Sequence, residues 1–411
     1  MPGNAAWATV GNLAIAGGQW LILVVLAKLG SPNLLGRYAL ALAVTGPVML
    51  LANLQLRSLL VVDAAHRHPF GEYLALRIAT ASLALVAIAV GTLALGQPQD
   101  AALLVVAVGS WRGMEAIGEI AQGLCQQRER MDLVACSQVL RAVLAVLAMG
   151  SILAWTGSVL LGAWAMAGIG TLVLVLFDLP SAARVLGPDG HAALRPRWEL
   201  RRLGQLARRA FPLGVAMMLS SLLVNVPRYA ISHYAGDDAL GSYAAVASLL
   251  VVISLMTTAL GQSASPRLAG FAARGQWRSY HRLLSRLMVL GLLIGMTGLA
   301  ASELCGRQIL TILFDATYAR DLAVFRIVML AAAVASVATP LGFALTAGGH
   351  HAVQIPLLVV VTSGVACCSR ILVPRLGAIG GAWSLVVGYL LLVVGSLVIL
   401  GAAERRRRRL G

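Results

Sequence analysis

The chain reads as a succession of apolar runs separated by short polar breaks. Each run is near the roughly 20 residues that span a bilayer core as a helix. Twelve can be marked: 7–29, 37–61, 78–96, 101–124, 133–154, 159–180, 211–235, 241–264, 286–305, 322–346, 352–372 and 377–401. The pattern predicts an all-α polytopic membrane protein of about twelve transmembrane helices.

One stretch departs from this apolar background. Between Gly109 and Asp132, the polar residues Arg112, Glu115, Glu119, Gln122, Gln126 and Glu129 recur in steps of 3, 4, 3, 4 and 3. At about 100° per residue they form one narrow stripe on a helix. A polar stripe inside a membrane helix faces water or a polar partner rather than lipid.

Composition agrees with the pattern. Of 411 residues, 59% are hydrophobic and only 12% charged, outside the range of soluble domains. The net charge of +16 is carried almost wholly by arginine, Lys28 being the only lysine. In a membrane protein such charge belongs to cytoplasmic loops rather than to nucleic-acid binding. With both termini inside, the inner segments hold 21 Lys and Arg, the outer segments 6 and the spans 5. That imbalance predicts cytoplasmic N- and C-termini. No Lys or Arg precedes the first apolar run, so the first span is expected to be retained. The five cysteines lack metal-ligand spacing and read as small buried hydrophobes.

The expected organisation is an N-terminal six-helix bundle (1–183), a basic cytoplasmic connector (184–210), a C-terminal six-helix bundle (211–403) and a basic tail (404–411). The connector's amphipathic stretch, Trp198 to Arg209, is expected to lie on the inner membrane surface. Three motifs recur in the same order. Leu35-Gly36-Arg37-Tyr38-Ala39 matches Leu240-Gly241-Ser242-Tyr243-Ala244. Tyr73 ends PFGEY as Tyr280 ends QWRSY, and Gly162-Ala163-Trp164 matches Gly381-Ala382-Trp383. This predicts two pseudo-symmetric bundles around a central cavity, a design of alternating-access transporters.

Charge within the hydrocarbon costs about 2.5–3.5 kcal/mol or more per residue. Glu115 and Glu119 lie mid-span, with Arg112 one turn outward. Two readings are open: an intrahelical ion pair that packs spans, or a cavity wall that binds H⁺ or Na⁺ or gates through an arginine. In the seventh span Ser221, Asn225, Arg228 and Ser232 share a face. Pro227 should kink that helix, as a packing device or as a hinge. Arg57 follows Asn53 by one turn, and the repeat sets Arg57 opposite Gln262. Arg57, Arg141, Arg112, Arg228 and Arg326 could form a basic path suited to phosphate. Alternatively, those near span ends, Arg326 and Arg370 above all, snorkel to headgroups.

No catalytic constellation is visible. His66/His68 and His350/His351 lack supporting carboxylates for a metal, and no GxxxxGK[ST] loop exists for ATP hydrolysis.

Three segments carry a family resemblance: WRGMEAIGEIAQGLCQQRERMDLVACSQVLR (111–141), VNVPRYAISHYAGDDALGSYA (224–244) and ILFDATYARD (312–321). With these the whole chain resembles the Wzx-type flippases, polysaccharide repeat-unit transporters of the multidrug/oligosaccharidyl-lipid/polysaccharide superfamily. The resemblance implies a non-enzymatic protein of the bacterial inner membrane without a bound cofactor, coupled to H⁺ or Na⁺. It would move undecaprenyl-diphosphate-linked oligosaccharide outward for O-antigen, capsule or exopolysaccharide synthesis. Arg112, Arg228, Arg57 and Arg141, with Asn225, Gln122, Asn53 and Gln262, would contact substrate. Glu115 and Glu119 would couple or gate, and Pro227 would be the hinge. Membrane lipids, a polysaccharide polymerase and chain-length proteins are the implied partners, with no nucleic acid. A multidrug exporter of the same superfamily and a membrane polymerase or ligase are the alternatives; short outer loops disfavour the enzymes.

Overall fold

A computed structural model describes residues 2–63, 68–94, 96–188, 190–349 and 351–410. His66 and His350 lie outside these residues. Helix dominates. The elements are α1 (Pro2–Leu29), α2 (Pro32–Asn53), α3 (Leu56–Val62), α4 (Phe70–Ala94), α5 (Gln99–Gln127), α6 (Met131–Thr156) and α7 (Val159–Val173). A π-turn at Leu174–Asp178 leads into α8 (Leu179–Leu186), then α9 (Gly190–Ala193) and α10 (Leu200–Ser248). They continue as α11 (Leu250–Ala273), α12 (Trp277–Leu313), α13 (Leu322–Ala347), α14 (His351–Leu376) and α15 (Ala378–Leu410).

Among the described residues, 11 stretches are long and apolar enough to cross a membrane. One, Leu200–Ala273, has 74 residues; as a straight helix it would reach about 110 Å, several times the bilayer core. It divides at Gly236, whose φ of 84° and ψ of 174° no helix contains. The count is then twelve spans. The break falls at Gly236, and the helical backbone continues through Pro227.

Local sequence explains several ends. Ser31 caps α2 by accepting from the Leu34 N–H at 3.3 Å, with Pro32 at the first helical position. Ser158 does the same for α7 through Leu161, after Gly157 closes α6 with a φ of 65°. The second span is not continuous. Leu54 and Gln55 adopt φ values of 48° and 52°, a region costly for side chains without local hydrogen-bonding capacity such as leucine. The break separates Asn53 from Arg57.

The chain forms two compact units, Met1–Ser221 and Leu222–Gly411. In the first, α5 is central and packs on α2, α3, α4, α6, α7 and α8. In the second, α13 packs on α11, α12 and α15. These are the fourth spans of the two halves. Three pairings recur in corresponding places: α2 with α5 and α11 with α13, α4 with α5 and α12 with α13, α5 with α7 and α13 with α15. Outward faces are apolar, as on α4, where Leu83, Val86, Val90 and Leu93 are exposed at helical spacing. Such a surface suits lipid.

The connector differs from the expected surface helix. Leu200–Arg209 is the beginning of α10, and Leu203, Leu206 and Ala210 join a core with Leu56, Tyr73 and Leu124. The Arg197 N–H donates to the Gly71 carbonyl at 3.0 Å. Arg202 pairs at 3.0 Å with the buried carboxylate of Glu72, which also meets His68 Nδ1 at 2.7 Å. The cysteines also depart from expectation. Cys125 is buried and Cys368 half-buried, while Cys136, Cys305 and Cys367 are exposed.

Candidate functional site

The central helix α5 delivers its stripe to a polar network inside the first unit. Arg57, just past the break in the second span, donates through Nε and Nη2 to Gln126 Oε1 at 3.2 and 2.9 Å. Its Nη1 reaches Gln122 Oε1 at 3.5 Å. Gln122 Nε2 donates to Ser137 Oγ at 3.0 Å, and the Ser137 hydroxyl donates to Asp178 Oδ1. The other oxygen of Asp178 accepts from Arg141 Nη2 at 2.5 Å, with both side chains almost fully buried. A charge-assisted pair of this kind is expected where neither charge has water.

Two features of the backbone make this joint. The π-turn at Leu174–Asp178 inserts one extra residue into the sixth span and ends on Asp178. Such turns re-aim side chains and recur at functional sites. Opposite, Gly118 leaves the space: an added Cβ would lie 2.6 Å from both Arg141 Nη2 and Asp178 Oδ2.

Arg77 is a second buried cation, donating from α4 to Asn53 Oδ1 at the end of α2, just before the break. Glu119 makes no direct ion pair among the described residues and lies in the combined field of Arg77, Arg57 and Arg141. Arg112 pairs with Glu115 at 3.4 Å, their side chains 28% and 13% exposed. Glu115 and Arg141 line a narrow cleft between α1, α5 and α6, with Gln19 and Trp111. The Nε and Nη1 of Arg141 and the Nε1 of Trp111 are buried there or beside it without acceptors among the described residues. The region thus sets four arginines (57, 77, 112, 141) beside three carboxylates (115, 119, 178).

The second unit is built differently. Arg228 donates to Asn225 Oδ1 at 3.2 Å on the same helix and lies among Tyr229, Tyr243 and Tyr389. Its other buried polar residues in α11 to α15 are Ser and Thr, most of them bonded to carbonyls of their own helix, as Thr257 to Ile253 and Ser336 to Ala332. Gln262 is exposed on α11, so the residue set opposite Arg57 by the repeat has no comparable network. Arg326 makes an exposed pair with Glu303 at 2.9 Å, and Arg370 is exposed. Among the described residues, no three His, Cys, Asp or Glu side chains converge as a metal site would require.

The structure thus joins Arg57, Gln122, Arg141 and Asn53 into one region with Glu115, Glu119 and Arg112, and leaves Gln262 apart. Two members escaped the sequence reading. Asp178 is a lone acid at the end of an apolar run, and Arg77 falls in a loop when the third span is taken from 78, although α4 already begins at Phe70. An acid and an arginine lying just inside span ends were the available signals.

The fold is that of a multi-pass membrane transporter. A solved inward-facing multidrug resistance MATE family transporter of the MOP superfamily aligns with a TM-score of 0.73 at 13% identity, covering 98% of this chain and 99% of that one. The lipid II flippase MurJ, in an inward closed conformation, aligns with a TM-score of 0.71 at 10% identity over 97% and 87%. In sequence, the capsular polysaccharide biosynthesis protein CapF of Staphylococcus aureus is 22% identical over 388 residues, 93% of this chain and 95% of that protein. Residues 3–271 match the model of the polysaccharide biosynthesis protein family, and the chain belongs to that family.

Proposed function

We propose that this protein is a flippase. It carries undecaprenyl-diphosphate-linked oligosaccharide repeat units from the cytoplasmic to the outer leaflet of a bacterial inner membrane for surface polysaccharide synthesis. The observation that carries this reading is the arginine-rich network buried in the first unit of a transporter fold whose family serves polysaccharide biosynthesis. A lipid diphosphate bearing sugars cannot cross hydrocarbon alone, because its charges and hydroxyls would lose their water. Arginine replaces that water with paired, permanently charged N–H donors.

In this mechanism Arg57, Arg112 and Arg141 meet the diphosphate or acidic sugars. Asn53 and Gln122 meet sugar hydroxyls. Glu115 and Glu119 take up H⁺ or Na⁺ and gate through the neighbouring arginines, with Pro227 as a hinge. Both termini are cytoplasmic, and the polymerase and chain-length proteins receive the product. The likeness to a multidrug transporter favours drug export as a second reading. The buried arginines weigh against it, since a cationic drug calls for acids and aromatics.

The test is the sidedness of the lipid-linked repeat unit in a deletion strain, read with a membrane-impermeant lectin on spheroplasts. Inner-leaflet accumulation is expected, reversed by wild type but not by equally abundant Arg112→Ala or Glu115→Gln protein. Unpolymerised units on the outer leaflet would refute the flippase and point to a later enzymatic step.

A further inference from the structure

The links between Asp178 and Arg57 form a hydrogen-bond chain with a single sense. Arg57 can only donate, and an ionised Asp178 can only accept. Gln122 and Ser137 lie between them, and each alone could run either way. With a donor fixed at one end and an acceptor at the other, only one arrangement satisfies all links. Ser137 gives its proton to Asp178, Gln122 gives its amide N–H to Ser137, and Gln122 turns its oxygen to Arg57. The amide orientation of Gln122 therefore follows from the chemistry of the two ends. Asp178 is itself held by Arg141, by the π-turn and by the space at Gly118.

From this chain we propose that Asp178 is a positioning residue for Arg57: its charge sets the sense in which Gln122 presents an acceptor to that arginine. Asp178 needs no contact with substrate to act this way. The isosteric Asp178→Asn keeps the shape but removes the imposed sense. Arg141 claims the amide oxygen, so the amide N–H₂ faces Ser137, which loses its acceptor. Gln122 is then free to turn, and Arg57 loses its second acceptor while keeping Gln126. The link from Arg57 to Gln122 is the longest in the chain at 3.5 Å, so the effect is graded. Loss of one such bond corresponds to roughly 3- to 10-fold in binding.

This role rests on the flippase reading, and two measurements separate them. The first uses full-length protein in proteoliposomes with the lipid-linked repeat unit extracted from the host. Asp178→Asn, Ser137→Ala and Arg57→Gln should each raise the apparent KM by roughly 3- to 10-fold with little change in maximal rate. Doubles with Arg57→Gln should be no worse than Arg57→Gln itself, and Ser137→Thr should retain the wild-type KM. Ser137→Ala leaves the Arg141–Asp178 pair intact, so it tests the chain even if Asp178→Asn folds poorly. The second is a double-mutant cycle on thermal unfolding of purified protein, which needs no transport. Positions 178 and 57 should couple, as should 137 and 57, whereas 178 and 228 should be additive. Additive unfolding of both pairs with position 57, or KM effects that multiply, would overturn the chain and leave Asp178 only a partner of Arg141. Coupled unfolding in a protein that transports nothing would keep the chain and refute the flippase.

Discussion

Gly118→Ala places a methyl group inside the Arg141–Asp178 bridge. The new carbon would stand 2.6 Å from both bonded atoms, Arg141 Nη2 and Asp178 Oδ2, well inside van der Waals contact. The two side chains are almost fully buried, so neither can retreat to water. Breaking a buried pair costs about 3–5 kcal/mol, and alanine returns up to about 1 kcal/mol over glycine within a helix. The net loss is about 2–4 kcal/mol. At roughly 2–4 °C per kcal/mol for a unit of this size, Tm should fall by roughly 4–16 °C. Gly168→Ala on α7 is the matched control, since an added Cβ there meets nothing within 4 Å. Thermal unfolding of both purified variants, followed by a thiol-reactive dye or by light scattering, reads the difference. A Gly118→Ala protein as stable as Gly168→Ala would refute the joint as a tightly fitted, charge-bearing contact.

Glu72→Ala should free the basic connector without unfolding the bundle, because Glu72 anchors Arg202 and His68 at 3.0 and 2.7 Å. Loss of a charge-assisted bond should raise trypsin cleavage after Arg197 by roughly 10-fold or more; an unchanged cleavage rate would contradict this anchoring. In the second unit an ideal Cβ at Gly295 lies 2.4 Å from Ala333 Cα, and one at Gly291 lies 2.3 Å from the Ser336 carbonyl. Backbone cannot rotate aside, so Gly295→Ala should separate α12 from α13 and cost about 1–3 kcal/mol. Gly342→Ala, with nothing within 4 Å, should unfold at or above the wild-type temperature, and equal Tm values for the two would sink the close-contact reading.

The spans were legible because hydrocarbon tolerates little but apolar side chains, so their lengths and spacing appear directly in the chain. The stripe from Arg112 to Gln126 was legible for the same reason: a polar period in an apolar helix stands out. Gly236-Asp237-Asp238 marked a break by its turn chemistry. The interruption at Leu54 and Gln55 had no such mark. LANLQLRS contains neither Gly nor Pro, and its positive φ values come from tertiary packing rather than local preference. Asp178 was hidden because its partner Arg141 is 37 residues away and because a π-turn shifts the helical phase that periodicity assumes. The repeat predicted matching packing around the fourth span of each half but not matching chemistry. α5 carries the charges, while α13 is lined with alanine at 331, 332, 333, 335 and 338. Duplication copies a backbone plan, and later substitution of side chains leaves that plan intact.

The buried bridge also constrains how the protein is made. Arg141 is synthesised 37 residues before Asp178, a lag of roughly 2–7 s at ordinary translation rates. During that interval the fifth span carries a guanidinium without its bonded carboxylate, at an insertion cost of about 2.5–3.5 kcal/mol. Its apolar residues, and the groove of α5 already in place, must hold it at the insertion machinery until the sixth span emerges. The fifth and sixth spans are therefore expected to enter the bilayer as a hairpin, paired once the carboxylate arrives.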